Sequence, residues 1–332
     1  MLAQMTRRNL ILIHRGPEYE EDFKEISERI FALDPDITIY ALAAGSDDQL
    51  PEAAWQRPTL TVALNPVFNL RVRRGPVLKD YQIDKLVQQR IFREAGIATP
   101  PMLPFTFGMR LDPIMFGEFV VIKPMSLSLS SHGDGIQIFR RRRLEDMRQR
   151  DFPQDHPIHW DRQGYLVQKF IDTGEYPAQH RLLSLFGERL FHYRTISSDA
   201  RKSLRAANEE LEKSIIATQS ASHRRRELVS DGRLAETARR LHSQLPEIPL
   251  LGIDILVEPA TARHFVIEIN AGGNTWGFSS SIAAPLRQEL GEQNANGGRK
   301  FDEIGKTMLK KQFDAFDAAA RVLLEKTHLS AS

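Results

Sequence analysis

Gly252-Ile253-Asp254-Ile255-Leu256-Val257 and Phe265-Val266-Ile267-Glu268-Ile269-Asn270 are two short apolar, β-branched runs separated by Glu258-Pro259-Ala260-Thr261-Ala262. Runs of this length on either side of a turn predict a β-hairpin. Alternate side chains of a strand share a face, so Glu268 and Asn270 point the same way, with Asp254 on the neighbouring strand. One acid alternating with apolar residues is ordinarily part of a solvated sheet face. Three oxygen-bearing side chains on adjacent strands, followed by Ala271-Gly272-Gly273-Asn274, suit a different role. Hard Mg²⁺ is held by one or two protein carboxylates together with the phosphates of a nucleotide, and Asp254, Glu268 and Asn270 are the candidate metal ligands.

Upstream of the hairpin, Phe119 to Pro124 reads as a strand carrying Lys123 near its end. A loop of small residues follows, with Ser126, Ser128, Ser130, Ser131, Gly133 and Gly135, before the strand Ile136 to Phe139. An open backbone of this kind can fold over phosphates and offer N–H donors while a nearby ammonium neutralises charge. Tyr165 to Ile171 is a further strand, and Arg181 to Leu185 and Arg189 to Ile196 read as a pair joined by a turn at Phe186-Gly187-Glu188.

The opening third reads as a small parallel α/β domain. Residues 9–14 form a buried strand, Gly16-Pro17 opens a helix with acids in its first turn, and Ile37 to Leu42 and Thr59 to Leu64 supply further strands. It lacks a G-x-G-x-x-G fingerprint. From Tyr81 to Ala95 the pattern turns helical, with Ile83, Leu86, Val87, Ile91 and Phe92 on one stripe and Gly96 closing the helix. Residues 199–245 read as mainly helical and polar, with 199–230 an acceptor lid or an oligomer surface. Gly305 to Leu324 reads as a helix packing back on the body, and no internal repeat is found.

Composition sets the limits. The chain has 332 residues, 41% hydrophobic and 27% charged, with a net charge of +2 and no cysteine. That is the make-up of a globular protein of two or three subdomains, without disulfides, thiolate metal sites or a cysteine nucleophile. The near-neutral balance argues against nucleic acid as a partner. The basic runs Arg140-Arg141-Arg142-Arg143 and His223-Arg224-Arg225-Arg226 read first as solvated faces, with anion contact as the alternative. Residues 9–14 are too short for a membrane span or a signal-peptide core, so a cytoplasmic protein without membrane attachment is expected.

Taken in order, Asp84-Lys85, Ala95 to Pro101, Val121-Ile122-Lys123-Pro124, the small-residue loop, Val167 to Ile171, Arg181, Asp254 and Glu268-Ile269-Asn270 resemble the motifs of ATP-grasp enzymes. The resemblance covers about residues 80–285. It implies an N-terminal parallel α/β domain (1–80), a small subdomain with the phosphate loop (81–170) and a C-terminal subdomain with the metal site (171–332), with ATP between two mainly antiparallel sheets. It implies that Lys85 and Lys123 contact ATP phosphates and that Ser131, His132 and Gly133 close over them. Gln168, Lys169, Phe170 and Ile171 would form the adenine hinge, with the backbone of Lys169 and Ile171 bonding the base. Lys123, Arg181 and Arg194 would place cations near the transferred phosphate. Asp172 and Glu175 both remain open as the ribose contact.

The chemistry the resemblance implies is a Mg²⁺-dependent (or Mn²⁺-dependent) ligation. ATP activates a small-molecule or peptide carboxylate as an acyl phosphate, and an amine or similar nucleophile then attacks it. Gly272, Gly273 and Asn274 would offer donors to that intermediate, and Trp276 and Ser279 to Ser281 would line the acceptor pocket. A kinase-like phosphotransferase and a nucleotide-binding protein without turnover are the alternatives, and a homodimer is compatible with either reading. The loop departs from the family by its serine content and by His132, and the segment after Asn270 lacks the proline common there.

Overall fold

The computed structural model describes residues 7–14, 20–46, 50–64, 67, 70–125, 135–218, 224–272 and 312–332, with Glu21 and Arg226 described by backbone alone. Among these residues the fold is mixed α/β, with one parallel and two antiparallel sheets. The parallel sheet has the order β2-β1-β3-β4, from β1 (Arg8–His14), β2 (Ile37–Ala43), β3 (Thr59–Ala63) and β4 (Val77–Lys79). Nearly all of β1 and β3 is buried, as expected of a parallel sheet covered on both faces.

Helix α1 (Glu20–Leu33) buries Phe23, Ile26 and Ile30, residues three and four apart, on this sheet. The same hydrophobic cluster takes in Phe316, Ala319 and Leu323 from the C-terminal helix. It also takes in Leu183, Leu185, Phe191 and Leu250 from the large antiparallel sheet. The parallel sheet and the large antiparallel sheet thus share a core, while the small antiparallel sheet packs a cluster of its own, from Leu111 to Val167. The C-terminal helix spans Ala315–Ser330 and ends with Ser332 accepting from the Thr59 N–H at 3.2 Å. Of the sequence-predicted Gly305 to Leu324 stretch, Met308 and Leu309 lie outside the described residues.

The smaller antiparallel sheet runs β5-β8-β6-β7, from β5 (Met102–Pro104), β6 (Phe119–Pro124), β7 (Gln137–Arg140) and β8 (Tyr165–Lys169). The larger runs β11-β10-β9-β12-β13, from β9 (Ala178–Leu185), β10 (Glu188–Ser197), β11 (Arg224–Leu228), β12 (Leu250–Glu258) and β13 (Arg263–Ala271). The β9–β10 turn is Phe186-Gly187, with φ of 48° and 90°. Two positive φ values mark the two-residue hairpin geometry that matches strand twist, and they explain why glycine sits there.

Two sequence expectations are corrected. Residues 224–228 are a strand paired antiparallel to β10, where a helix was expected. A short, charged edge strand has no apolar alternation to announce it, and its charges are what keep an open sheet edge soluble. The helix expected over 81–95 is shorter: α2 spans Lys85–Glu94, with the Asp84 carboxylate accepting from the Leu86 N–H at 2.8 Å. Its buried face is only in part the apolar stripe, since Ile83 and Phe92 are buried and Ile91 packs against the same core. Lys85, Gln88, Gln89 and Phe92 are buried, while Val87 is exposed. Gly96, at φ 61°, ends α2, and Arg240 of α3 (Gly232–Gln244) donates to the Ala95 and Gly96 carbonyls there.

Candidate active site

The expected hairpin is formed by β12 and β13, with Asp254 opposite Glu268 and Gly252 opposite Asn270. Asp254 also lies opposite Arg181 of β9. One feature is not legible in the sequence: after the Asp254–Glu268 pair the register jumps to Ile255–Val266, leaving Ile267 as a β-bulge. A bulge re-aims side chains next to it. Here Ile267 and Glu268, which alternation alone would send to opposite faces, both line one cleft.

That cleft lies between the two antiparallel sheets and is open to solvent. Lys85, Lys123, Asp254 and Glu268 meet at its charged part. Val121, Ile136, Phe170, Ile171, Leu256 and Ile267 give it apolar walls. Of the residues singled out from the sequence, Lys85, Lys123, Gln168, Phe170, Ile171, Asp254 and Glu268 are thus brought together. Ser131, His132, Gly133, Gly273, Asn274, Trp276 and Ser279 to Ser281 lie outside the described residues.

Electrostatics bind the charged part into one unit. Lys123 is buried, which lowers its ammonium to about 8; the Glu268 and Asp254 carboxylates oppose that shift and the Lys85 ammonium adds to it. Burial also lowers Lys85, against the pull of Glu268, and its Nζ donates to the Pro124 carbonyl at 3.2 Å. Burial raises the Asp254 carboxyl, and the Arg181 guanidinium works the other way. Arg181 holds both oxygens of Asp254, Nε to Oδ1 at 2.6 Å and Nη2 to Oδ2 at 3.0 Å. The Asn270 amide donates to Oδ2 at 3.0 Å, which leaves its own carbonyl oxygen available as a ligand. Gln179 adds a further bond to Asp254.

Arg194 is placed elsewhere. It pairs with His180, while Arg181 pairs with Tyr193, so Arg194 lies on the opposite face of the sheet from Arg181 and Asp254. It lines a separate crevice with Glu175 and Tyr176. The Lys169 N–H is taken by the Pro101 carbonyl at 2.9 Å, so its carbonyl is the backbone group it can offer a hinge. Asp172 is bound to Arg201, both carboxylate oxygens accepting from Nη2 at 3.0 and 2.9 Å.

Sequence reasoning passed over Gln88, Gln179, Arg201, Ile216 and Ala217, of which all but Gln88 line the cleft. The last three belong to residues 199–218, a strap running from the large sheet to the small one. Arg201 ties it to Asp172 and to the Gly174 carbonyl. At the other end Arg140 donates to Asn208 Oδ1, Leu204 O and Ala206 O at 2.6, 3.0 and 2.8 Å, and Arg143 pairs with Glu212. The basic run at 140–143 is therefore largely an anchor, and the solvated-face reading is corrected for Arg140, Arg141 and Arg143. Arg141 bonds Glu145, Gly117 and Leu111.

No family model and no curated protein matches the chain. Matches among solved structures do exist. Ligases of the ATP-grasp kind are among them. The D-alanine–D-alanine ligase from Bacillus anthracis complexed with ATP matches at 13% identity and a TM-score of 0.41, covering 93% of this chain and 100% of that one. The D-cycloserine synthetase DcsG matches at 12% identity and 0.46, covering 91% and 100%. The ATP-grasp ligase PsnB complexed with a minimal precursor matches at 14% identity and 0.44, covering 87% and 100%. Likenesses this distant carry no residue roles, so the reading of the site rests on its own geometry. No helix among the described residues is long and apolar enough to cross a membrane.

Proposed function

We propose that this protein is an ATP-grasp ligase that uses ATP to join a carboxylate to a nucleophile. The observation that carries the reading is the convergence of Lys85, Lys123, Asp254 and Glu268 beside an apolar slot between two antiparallel sheets. Two ammonium groups suit a run of phosphates, and the slot between Phe170, Ile171, Leu256 and Ile267 suits a planar base. The Lys169 carbonyl and Ile171 N–H would bond the edge of that base.

The donor set fits a hard divalent cation shared with phosphate. Glu268 lines the cleft, Asn270 keeps an amide oxygen to spare, and Asp254 is fixed between Arg181, Gln179 and Asn270. Mg²⁺, or Mn²⁺ in its place, would be held by these three residues and would supply charge neutralisation to the terminal phosphates.

A substrate carboxylate oxygen attacks the γ-phosphorus and breaks its bond to the β–γ bridging oxygen, so ADP departs. The amine, or a similar nucleophile, then attacks the acyl carbon. The C–O bond breaks, phosphate leaves with the electron pair, and the nucleophile loses its proton. No protein nucleophile is needed. Lys123 stabilises the phosphoryl group as it transfers, while Arg181 keeps Asp254 ionised and oriented. The substrate class is a small-molecule or peptide carboxylate.

The test is to incubate the protein with ATP, Mg²⁺, hydroxylamine and a panel of carboxylic acids. Hydroxamate appearing together with free phosphate is the expected result. Phosphate retained in the product, or no product with any acid, overturns it.

A further inference from the structure

Helix α2 breaks its own pattern, burying Lys85, Gln88 and Gln89 while leaving Val87 exposed. Long polar side chains are rarely buried without a partner, and local departures of this kind collect at functional sites. Gln89 bonds the Pro100 carbonyl, a local closure of the segment after the helix. Gln88 does something else. Its amide nitrogen donates to the Ile83 carbonyl at 2.9 Å and to the Ile269 carbonyl at 3.1 Å, and its amide oxygen accepts from the Ile269 N–H at 2.8 Å. Every donor and acceptor of that amide is used.

Ile269 lies between Glu268 and Asn270 on β13, the outermost strand of the large sheet. The outer backbone groups of an edge strand have no neighbouring strand to bond, and at Ile269 they are covered by α2. Gln88 bonds both, as a neighbouring strand would. Farther along β13, the Val266 N–H donates to the Ala98 carbonyl at 2.9 Å, so the bulge at Ile267 is fixed on either side. Lys85 stands one turn before Gln88 on the same buried face, and the Glu268 carboxylate acts on its ammonium.

We propose that Gln88 is a positioning residue that fixes the helix bearing Lys85 to the strand bearing Glu268 and Asn270, setting the spacing between the phosphate-binding ammonium and the metal-binding carboxylate. This rests on the nucleotide reading of the cleft and deepens it. Loss of the side-chain amide leaves three buried backbone groups unbonded, two of them on Ile269, and lets α2 slide relative to β13. Lys85 then no longer sits where a phosphate held at Glu268 needs it.

The experiment measures MgATP affinity calorimetrically for the full chain and for Lys123→Ala, Lys85→Ala, Gln88→Leu, Gln88→Glu and the Lys85→Ala/Gln88→Leu double variant. Amide hydrogen exchange at Ile269 is followed alongside. If the wild type and Lys123→Ala bind MgATP equally, the nucleotide reading fails before Gln88 is at issue. Given that reading, Gln88→Leu is expected to weaken MgATP binding roughly tenfold and to expose the Ile269 amide to exchange. In the Lys85→Ala background the same change should cost almost nothing, because its effect passes through Lys85. Gln88→Glu keeps the acceptor for the Ile269 N–H and should retain protection there with an intermediate affinity. Effects of Lys85→Ala and Gln88→Leu that multiply, or a loss of global stability with unchanged affinity, overturn the proposal. Should Gln88→Leu not fold, Gln88→Glu and its combination with Lys85→Ala decide the matter by the same criteria.

Discussion

Asp254 is the residue on which the site depends, and its charge is tolerable only because Arg181 faces it. Asp254 is buried and Arg181 is half-buried, and burial opposes the charged form of each. Removing one partner of such a pair strands the other. Arg181→Ala should therefore cost about 3–5 kcal/mol of folding stability, read from urea unfolding, while Arg181→Ala with Asp254→Asn should recover much of it. Glu268→Gln and Asn270→Ala behave differently. Both should abolish turnover; Glu268→Gln should leave the unfolding free energy within about 0.5 kcal/mol of wild type, whereas Asn270→Ala should cost about 1–3 kcal/mol, because it takes one hydrogen bond from the buried Asp254 carboxylate. Lys123→Ala should weaken ATP binding, and an unchanged affinity would count against its phosphate role. The types and spacing of these residues were readable in the chain. The opposite-facing position of Arg194 was not evident at first sight, although strand alternation from Arg181 through the Phe186-Gly187 turn contains the information once the register is known.

Among the elements, the strap at 199–218 is held by arginine clamps with no strand or long helix of its own. Its only regular element is one short helix at Asn208–Leu211. Arg140→Ala removes three bonds to the strap and none to a core cluster. Trypsin cleavage after the exposed Lys202, Arg205 or Lys213 should accelerate roughly tenfold, with far-ultraviolet circular dichroism unchanged. A nicking rate equal to wild type would show that other contacts hold the strap. Sequence patterning failed for this segment and for β11 for one physical reason. Periodicity reports burial of apolar faces, and these parts are fastened by charge and by edge pairing. The bulge at Ile267 escaped for a related reason, since a single inserted residue leaves the β-branched composition of β13 intact.

At the scale of the whole molecule, buried neutral histidines tie folding to pH. Burial lowers His242 to about 4; it lowers the adjoining His180 and His192 to about 4 and about 3, and the His180 ring further depresses His192. The other groups acting on the pair are Arg194, Arg189, His264 and Asp231, of which Asp231 alone raises them. Unfolded, these rings take up protons near pH 6.5. The folded state binds fewer protons below that point, so their contribution to stability is complete above about pH 6.5 and is lost as pH falls towards about 4. Each contributes a slope of about 1.4 kcal/mol per pH unit within that window. Urea midpoints measured from pH 7 to pH 4.5 should fall accordingly, and His242→Gln should flatten the decline. A flat profile would mean the rings are solvated and charge freely.

Outside β11 and the strap at 199–218, the amino-acid order alone determined the main strand and helix succession, the β12–β13 hairpin and the chemical types gathered at the cleft, because apolar periodicity and turn residues act within a few positions of one another. Tertiary structure decided the rest. It turned α2 so that Lys85 and Gln88 are buried and Val87 is not, sent Arg194 to the far face, and inserted the bulge that brings Ile267 and Glu268 onto one wall. Those outcomes depend on backbone groups and charges finding partners far along the chain, Gln88 with Ile269 and Arg181 with Asp254. Only the assembled sheets bring such partners within bonding distance.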